Sequence, residues 1–268
     1  MSFSADWLAL REPADHASVN ALVRDALRRH FADQTAVAIV DLGSGAGSNL
    51  RGLSPVLGTQ QSWTLVDYDA HLLAVAKARA EAAPPAGVAS LAFREADLSS
   101  GDFTPIVAGA DLVTAAALFD LVSPAVIDRL ADAVAARAQV FATVLTYDGV
   151  AAFLPPHPAD GAMREVFNRH QGGDKGFGPA AGPDATAALA AAFTRHGYRI
   201  VRGKSPWVLD GSFVSLRREL ERGWAAAVLE TGSVPKETVE DWLAHRSAAA
   251  DAVTIIGHED ILALPPER

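Results

Sequence analysis

The sequence of 268 residues contains no cysteine. That absence excludes disulfide bonds, a thiolate nucleophile and a cysteine-ligated metal, and it is typical of a cytoplasmic protein. Long hydrophobic runs are also missing, because no uncharged stretch approaches the ~20 residues that a membrane-spanning helix needs. The N-terminal stretch MSFSADWLALREPADH has neither the basic nor the apolar segment of an export signal. We therefore expect a cytoplasmic protein that does not enter a membrane.

Basic residues are in the minority. The chain has 23 Lys and Arg against 32 Asp and Glu, a net charge of −9, and no long basic run. Such a surface is not suited to neutralising phosphates, so a nucleic-acid partner is disfavoured. Half of the residues are hydrophobic, which is enough for a substantial core. We expect residues 1–268 to form a single domain, as a monomer or a homodimer.

The most informative stretch covers residues 36–50, AVAIVDLGSGAGSNL. Its β-branched residues predict a buried strand that ends at Asp41, and Gly43, Gly45 and Gly47 then form a turn into a helix. Glycine lets the backbone approach a ligand closely and adopt angles that a side chain would forbid. The NH groups of this turn therefore face a candidate binding site.

Apolar runs alternate with helical patterns along the chain, which is typical of parallel strands joined by right-handed crossovers. Before the first strand, an apolar stripe predicts one helix over residues 13–31, with Pro13 in its first turn. After the glycine turn, strands are predicted at residues 62–69, 88–94, 110–117, 138–149, 198–209 and 252–264.

The spacing acidic-x-Gly-x-Gly-x-Gly, from Asp41 to Gly47, resembles the first motif of the class I S-adenosylmethionine (SAM) dependent methyltransferases. The resemblance in motifs covers roughly residues 36–147. It implies an α/β fold with a doubly wound, mostly parallel seven-stranded sheet, helices on both faces and an antiparallel last strand. It also implies SAM as the cofactor and S-adenosylhomocysteine as the product.

Asp67 ends the second predicted strand, 20 positions beyond Gly47. In a doubly wound fold a carboxylate at this place accepts hydrogen bonds from the two ribose hydroxyls, although acids also end strands without binding a ligand. The resemblance further implies that Asp97 and Leu98 contact the adenine. The residues expected to bind the cofactor are Asp41, Gly43, Ser44, Gly45, Gly47, Asp67, Tyr68, Asp97, Leu98 and Ala116.

The N-terminal helix supplies two further candidates. In the family that the chain resembles, a helix before the first strand often borders the cofactor, so Arg11 and Arg24 are within reach of the SAM carboxylate. A solvated arginine is the alternative interpretation of each.

A segment rich in proline and glycine, residues 150–184, is much longer than the usual strand-to-helix connection. Its aromatic residues argue against disorder, so we expect a lid that supplies most of the substrate pocket, with a short helix from Asp160 to His170. Phe119, beyond the fourth strand, is either a wall of the site or a core residue. The expected substrate-binding residues are Phe119, Arg164, Asn168, Gln171 and Lys175.

The chemistry of methyl transfer limits what the sequence reveals about catalysis. A general base is needed only when the acceptor atom carries a proton at the working pH. His170, Tyr147 and His157 are the candidate catalytic residues, and a surface or hydrogen-bonded histidine is the alternative for each histidine. No histidines or acids have a convincing metal-binding spacing, so no metal is expected.

The acceptor class is narrowed by two absent signatures. The Asn/Asp-Pro-Pro-Tyr/Phe motif of methyltransferases acting on amino groups is missing, and the cytosine-C5 class requires a cysteine. We therefore expect methyl transfer to the oxygen, nitrogen or carbon of a small molecule. The alternatives are an NAD(P)-dependent oxidoreductase, which would prefer Gly-x-Gly-x-x-Gly, and a SAM-binding protein without catalysis.

Overall fold

The computed structural model describes residues 3–58, 60–249 and 251–267, and a mixed β-sheet organises them. The spatial order of its strands is β3-β2-β1-β4-β5-β8-β6, with β7 also paired to β8. The strands are β1 (Ala36–Leu42), β2 (Gln60–Asp67), β3 (Val88–Glu95), β4 (Leu112–Ala116), β5 (Val140–Leu154), β6 (Arg199–Lys204), β7 (Trp207–Leu209) and β8 (Val253–Leu264).

The first five strands pair in parallel, and β8 runs antiparallel to β5, β6 and β7. The strand order turns back between β1 and β4, which are neighbours in the sheet although β2 and β3 separate them in the chain. In a doubly wound sheet ligands bind at the carboxyl ends of the strands beside such a reversal. The doubly wound, mostly parallel fold predicted from the sequence is thereby confirmed, with eight strands rather than seven.

Helices cover both faces of this sheet. None of those in the described ranges combines the length and the apolar character that crossing a bilayer would require. They are α1 (Ala5–Ser18), α2 (Ala21–His30), α3 (Ser48–Leu57), α4 (Ala70–Ala82), α5 (Pro124–Ala135), α6 (Asp160–Gln171), α7 (Ala185–Arg195), α8 (Val214–Thr231) and α9 (Lys236–Ala248).

The prediction of one helix over residues 13–31 is wrong, because the chain breaks between α1 and α2. The side chain of Asn20 accepts hydrogen bonds from the NH groups of Leu22 (3.0 Å) and Val23 (3.2 Å) and so starts a second helix. Its own NH donates to Asp260 on β8 (2.7 Å). Pro13 lies inside α1 instead of starting a helix.

The later strands also differ from the prediction. The segment predicted as one strand over 198–209 is divided at Ser205, whose NH donates to the carbonyl of His258. Strand β5 continues to Leu154, so the first five residues of the 150–184 segment extend the sheet. Register shifts in its pairing with β8 allow β5 to bend as it leaves the central sheet.

Beyond the bend, β5 supports a group of three packed helices, α6, α8 and α9, which we call the helical cap. Large aromatic side chains fill its core: Phe167 stacks on Trp224 with ring centroids 3.7 Å apart, and Phe153 meets Trp242 edge-on at 5.1 Å. This core is separate from the apolar clusters on the two faces of the sheet. The cap is therefore a packed part of the domain.

The cap also encloses charged side chains. Arg217 and Glu221, one turn apart on α8, are 2% and 1% exposed and form an ion pair at 3.1 Å. Glu221 also accepts a hydrogen bond from Thr254 on β8 (2.7 Å). Arg246 on α9 is fully buried beside them and donates to the carbonyl of Pro155. Glu221 is thus the carboxylate paired with Arg217, and both Glu221 and Asp160 act on the charge of Arg246.

Candidate active site

A pocket of about 150 Å³ opens at the carboxyl ends of β1, β2 and β4. It lies where the strand order reverses, and α1 covers it with Leu8, Arg11 and Asp15. Nine of the residues selected from the sequence line it: Arg11, Gly43, Ser44, Gly45, Asp67, Tyr68, Leu98, Ala116 and Lys175.

The glycine turn forms the floor of this pocket. Gly43 and Gly45 have positive φ angles of 62° and 50°, which side chains rarely adopt. A Cβ on either would lie 3.1 Å from a neighbouring leucine side chain, Leu118 for Gly43 and Leu8 for Gly45. The hydroxyl of Ser44 is buried there without a hydrogen-bond partner among the described residues. The turn therefore presents backbone and an unpaired polar atom to a ligand.

Asp67 holds the turn against β2. One carboxylate oxygen accepts the NH of Gly45 (2.8 Å) and the other accepts the NH of Asp69 (3.0 Å). Burial raises the pKa of this carboxyl above its ordinary value, while the two NH groups act in the opposite direction. Each carboxylate oxygen can accept more than one hydrogen bond, so Asp67 retains capacity for a vicinal diol. Tyr68 lies beside it at the rim, 50% exposed.

Asp41 lies beneath the turn and does not line the pocket. The amide nitrogen of Asn49, which does line it, donates to Asp41 (2.7 Å) and to the hydroxyl of Thr114 on β4 (3.2 Å). Burial raises the pKa of Asp41 to about 7, and the Asn49 hydrogen bond opposes that shift. Asp41 thus acts on the site through Asn49.

The raised pKa of Asp41 predicts a pH-dependent stability. In the unfolded chain the carboxyl ionises near 3.8, whereas in the folded protein it keeps its proton until about 7. The folded state binds more protons in this window, so the free energy of unfolding falls as the pH rises through it, by about 4 kcal/mol. Asp41→Asn is expected to lose this dependence. Its stability relative to the unsubstituted protein, measured by urea unfolding, should rise between about pH 4 and about pH 8, and a constant difference contradicts the assignment.

Of the remaining predicted cofactor residues, one lines the pocket and two lie outside its lining. Leu98 lies in the wall, whereas Asp97 is exposed and starts a short 3₁₀ turn by accepting the NH of Ser99 (2.8 Å). Hydrogen bonding to Ser99 lowers the pKa of Asp97. Gly47, with φ of 79°, precedes α3 and turns the chain into that helix.

A cluster from α1 and β7 adds polar groups beside the pocket. Arg11 forms an ion pair with Asp15 at 3.0 Å, and its guanidinium lies 4.9 Å from the ring centre of Trp207. The indole NH of Trp207 donates to Asp15 (3.1 Å). Burial raises the pKa of Asp15, and the charge of Arg11 opposes this. The sequence singled out Arg11 only. An Arg–Asp pair four residues apart on a helix is the signal that could have added Asp15.

Three predicted substrate and catalytic residues, Tyr147, Arg164 and Asn168, contact one another or the backbone of β5 and do not line the pocket. The hydroxyl of Tyr147 donates to Asn168 (2.6 Å), which donates to the carbonyl of Gly149 (3.0 Å). Arg164 donates to the carbonyl of Ala151 (3.3 Å). Burial raises the pKa of Tyr147, and the charge of Asp148 adds to the effect.

Two more candidates lie farther from the pocket. His157 contacts Asp241 on α9 at 3.1 Å, and its ring centre is 5.1 Å from that of His245. Phe119 is buried in the core, edge-on to Phe141 with ring centroids 5.5 Å apart. The core interpretation of Phe119 is the one that the packing favours.

Lys175 lines the pocket and begins a chain of side-chain contacts that ends at an exposed carboxylate. Its amino group lies 3.4 Å from Nδ1 of His170, and Nε2 of His170 lies 3.2 Å from the exposed carboxylate of Glu230. Gln171 ends α6 next to His170 and does not line the pocket. Of the residues predicted on the lid, Lys175 is the one that lines the pocket, and His170 lies directly behind it.

Comparison with known protein families gives a match for the first four strands of the sheet and the start of the fifth. A family model described as "Methyltransferase domain" matches residues 39–140, from β1 to the start of β5. Residues 39–140 therefore carry a methyltransferase domain. This agrees with the family that the glycine motif resembles, and not with the oxidoreductase alternative. No curated protein sequence matches the methyltransferase chain.

Solved structures share the fold of this methyltransferase. A cyclopropane-fatty-acyl-phospholipid synthase-like protein from Lactobacillus casei is 16% identical with a TM-score of 0.55, over 98% of this chain and 95% of that chain. The YcgJ protein from Bacillus subtilis is 13% identical with a TM-score of 0.54, over 93% and 100%. The cyclopropane synthase MmaA2 from Mycobacterium tuberculosis is 11% identical with a TM-score of 0.53, over 97% and 94%.

A metal site is not found in the methyltransferase. Within residues 3–58, 60–249 and 251–267, no group of three or more His, Cys, Asp or Glu side chains is placed to hold an ion.

Proposed function

We propose that this protein transfers the methyl group of SAM to the oxygen, nitrogen or carbon of a small-molecule acceptor and releases S-adenosylhomocysteine. The observation that carries the proposal is the junction of Asp67 with the glycine turn. A carboxylate suited to a vicinal diol is hydrogen-bonded to Gly45, in a turn whose glycines have φ angles that side chains rarely adopt.

The residues present fit the cofactor. Asp67 accepts from the ribose hydroxyls, and Tyr68 and Leu98 border the base, with the exposed Asp97 at the edge of that subsite. The turn from Gly43 to Gly45, with Ser44 and Ala116, borders the amino-acid end. Arg11 lies in the pocket wall and offers a cation for a carboxylate there.

In methyl transfer from SAM, the protein mainly has to align the acceptor atom with the methyl group. The sulfonium of SAM supplies an electrophilic methyl group, so the main task of the chain is to exclude water and to hold the acceptor atom in line. Leu118 and Leu121 shield the pocket from solvent beside Ala116. Lys175, the cation of the 150–184 segment in the wall, is positioned to orient a polar acceptor.

Proton removal is proposed only for acceptors that carry a proton. His170 is the candidate base, because it reaches the pocket through Lys175 and solvent through Glu230. The raised pKa of Tyr147 keeps its hydroxyl protonated, which suits a donor that positions Asn168. The contacts of His157 support a structural role between α6 and α9.

Other properties stay predictions from the sequence. A cytoplasmic location, a monomer or homodimer and the absence of a nucleic-acid partner rest on composition and charge. The segment 150–184 is retained as a substrate-binding insertion, with Lys175 and Phe177 as its residues in the pocket wall.

Calorimetric titration of the purified protein with SAM, S-adenosylhomocysteine and NADH tests the proposal. We expect saturable binding of the first two ligands at one site and no heat of binding from NADH. Binding of NADH, or of neither adenosyl ligand, would refute the assignment of this pocket. A screen of small-molecule acceptors with detection of S-adenosylhomocysteine then identifies the substrate.

A further inference from the structure

A second cavity adjoins the cofactor pocket on the α2 and α3 side of the sheet. It has a volume of about 130 Å³ and lies against β4 and β5. Four residues line both spaces, so they meet at a shared boundary: Asp15, Ser48, Asn49 and Ala116. The exposed Arg24 lines the same cavity and marks its solvent side.

The wall of this cavity is mainly aliphatic. We call it the apolar chamber, and its main lining residues are Val19, Val23, Leu27, Leu53, Val56 and Val144. Val144 is only partly buried although β5 lies between β4 and β8, and Leu53 and Val56 on α3 are partly exposed opposite it. Burial of such aliphatic surface away from water is favourable. A non-polar occupant would provide that burial.

The backbone beside both spaces is strained. Ala117, in the wall of the cofactor pocket, has φ of 49°, and Leu145, in the wall of the chamber, has φ of 59°. The NH of Leu145 is held by Asp260 (2.8 Å) at an irregularity of β5. Non-glycine residues rarely adopt this conformation, and those that do are found more often at functional sites. Two of the three non-glycine residues with positive φ in the described structure thus lie in the walls of the two spaces, and the third is Ala138.

Size and polarity restrict the occupant. The charged amino-acid end of the cofactor would lose its solvation in an aliphatic cavity, so the chamber does not suit that group. An engineered cavity of about 150 Å³ with wholly apolar walls binds benzene. The chamber, at about 130 Å³, accordingly has room for an aliphatic or aromatic group of about six carbons.

We propose that the apolar chamber holds a non-polar arm of the methyl acceptor, while the reactive end of the acceptor lies at the boundary formed by Asn49 and Ala116. This inference rests on the proposed function and names the substrate class: a small molecule with a hydrocarbon or aryl group. Cofactor and acceptor arm then occupy adjoining spaces at the same time.

The test is a ¹⁹F NMR titration with trifluorotoluene in the presence of saturating S-adenosylhomocysteine. We expect saturable binding of the probe to the unsubstituted protein. Leu53→Trp fills the chamber and should weaken probe binding at least tenfold, and Val56→Phe, a smaller change on the same helix, should act in the same direction. Val208→Trp, at an exposed valine of β7, is the matched control and should not alter probe binding.

Calorimetry with S-adenosylhomocysteine and thermal unfolding are recorded for every variant. Affinity for S-adenosylhomocysteine within threefold of the unsubstituted protein shows that a variant is folded, and if Leu53→Trp does not fold, Val56→Phe decides the test. Displacement of the probe by S-adenosylhomocysteine, absence of probe binding, or unchanged binding in the chamber variants each overturns the inference. Failure of the proposed function shows itself separately, as failure of the unsubstituted protein to bind S-adenosylhomocysteine.

Discussion

Replacement of Asp67 by alanine is expected to weaken the binding of S-adenosylhomocysteine at least 100-fold. The substitution removes the acceptors for the ribose hydroxyls, and hydrogen bonds to a charged group contribute about 1.5–3 kcal/mol each. It also releases the NH of Gly45, which Asp67 holds at 2.8 Å. Calorimetric titration of the variant measures the loss.

Glu95→Ala provides the matched control for this experiment. Glu95 pairs with Asp67 in register across β2 and β3, but it is exposed and does not line the pocket. Glu95→Ala removes the same charge at the same edge of the sheet. The affinity of this variant for S-adenosylhomocysteine should therefore stay within threefold of that of the unsubstituted protein. Asp67→Asn, which keeps one acceptor, should give an intermediate loss. Equal affinities for the Asp67 and Glu95 variants would contradict the ribose role.

Replacement of Glu221 by alanine is expected to lower the free energy of unfolding by about 3–5 kcal/mol. The carboxylate compensates Arg217 at 3.1 Å in a region where both side chains are at most 2% exposed, and Arg246 is buried nearby. Without Glu221, Arg217 loses its buried ion-pair partner, and Asp160 remains as a carboxylate that acts on Arg246. Urea unfolding monitored by tryptophan fluorescence measures the change, since Trp224 and Trp242 lie in the same core.

The same helix supplies the control. Glu219 pairs with Arg222 at 3.0 Å, but their side chains are 54% and 62% exposed. Exposed pairs contribute about 0–1 kcal/mol, so Glu219→Ala should unfold almost as the unsubstituted protein does. If Glu221→Ala and Glu219→Ala lower the free energy of unfolding by the same amount, the loss is due to a change in α8 in general and not to the buried charge.

The pocket residues at the ends of β1 and β2 could be predicted because their signals are local. Glycines at fixed spacing after a β-branched strand specify the turn, and Asp67 follows from the distance to the next strand end. The break between α1 and α2 could not be predicted in this way. It depends on Asn20, whose partner Asp260 lies 240 positions away. Periodicity within one helix carries no information about such a contact.

The contacts of the 150–184 segment were harder to predict, because they join residues that are distant in the sequence. Composition identified 150–184 as an unusual segment, and the helix within it was located correctly. It did not reveal that β5 runs on to Leu154 and positions Asn168 and Arg164 against strand backbone. The Arg11–Asp15–Trp207 cluster likewise joins elements 192 residues apart. Residue type gives the chemistry of a side chain, but its direction is set by packing.

The place of β8 in the sheet has a consequence for how the chain folds during synthesis. Strands β1 to β5 emerge first and can pair with one another, whereas β6 and β7 pair with β8 in the described structure. Between Leu154 and Val253 about 100 residues are made, and during that time β5 keeps a free edge. Unpaired edges of partly folded sheets are where chains associate wrongly. Once β8 has been synthesised, its pairing with β5 is expected to cover this free edge. Aggregation of the partly folded chain through β5 should then decrease.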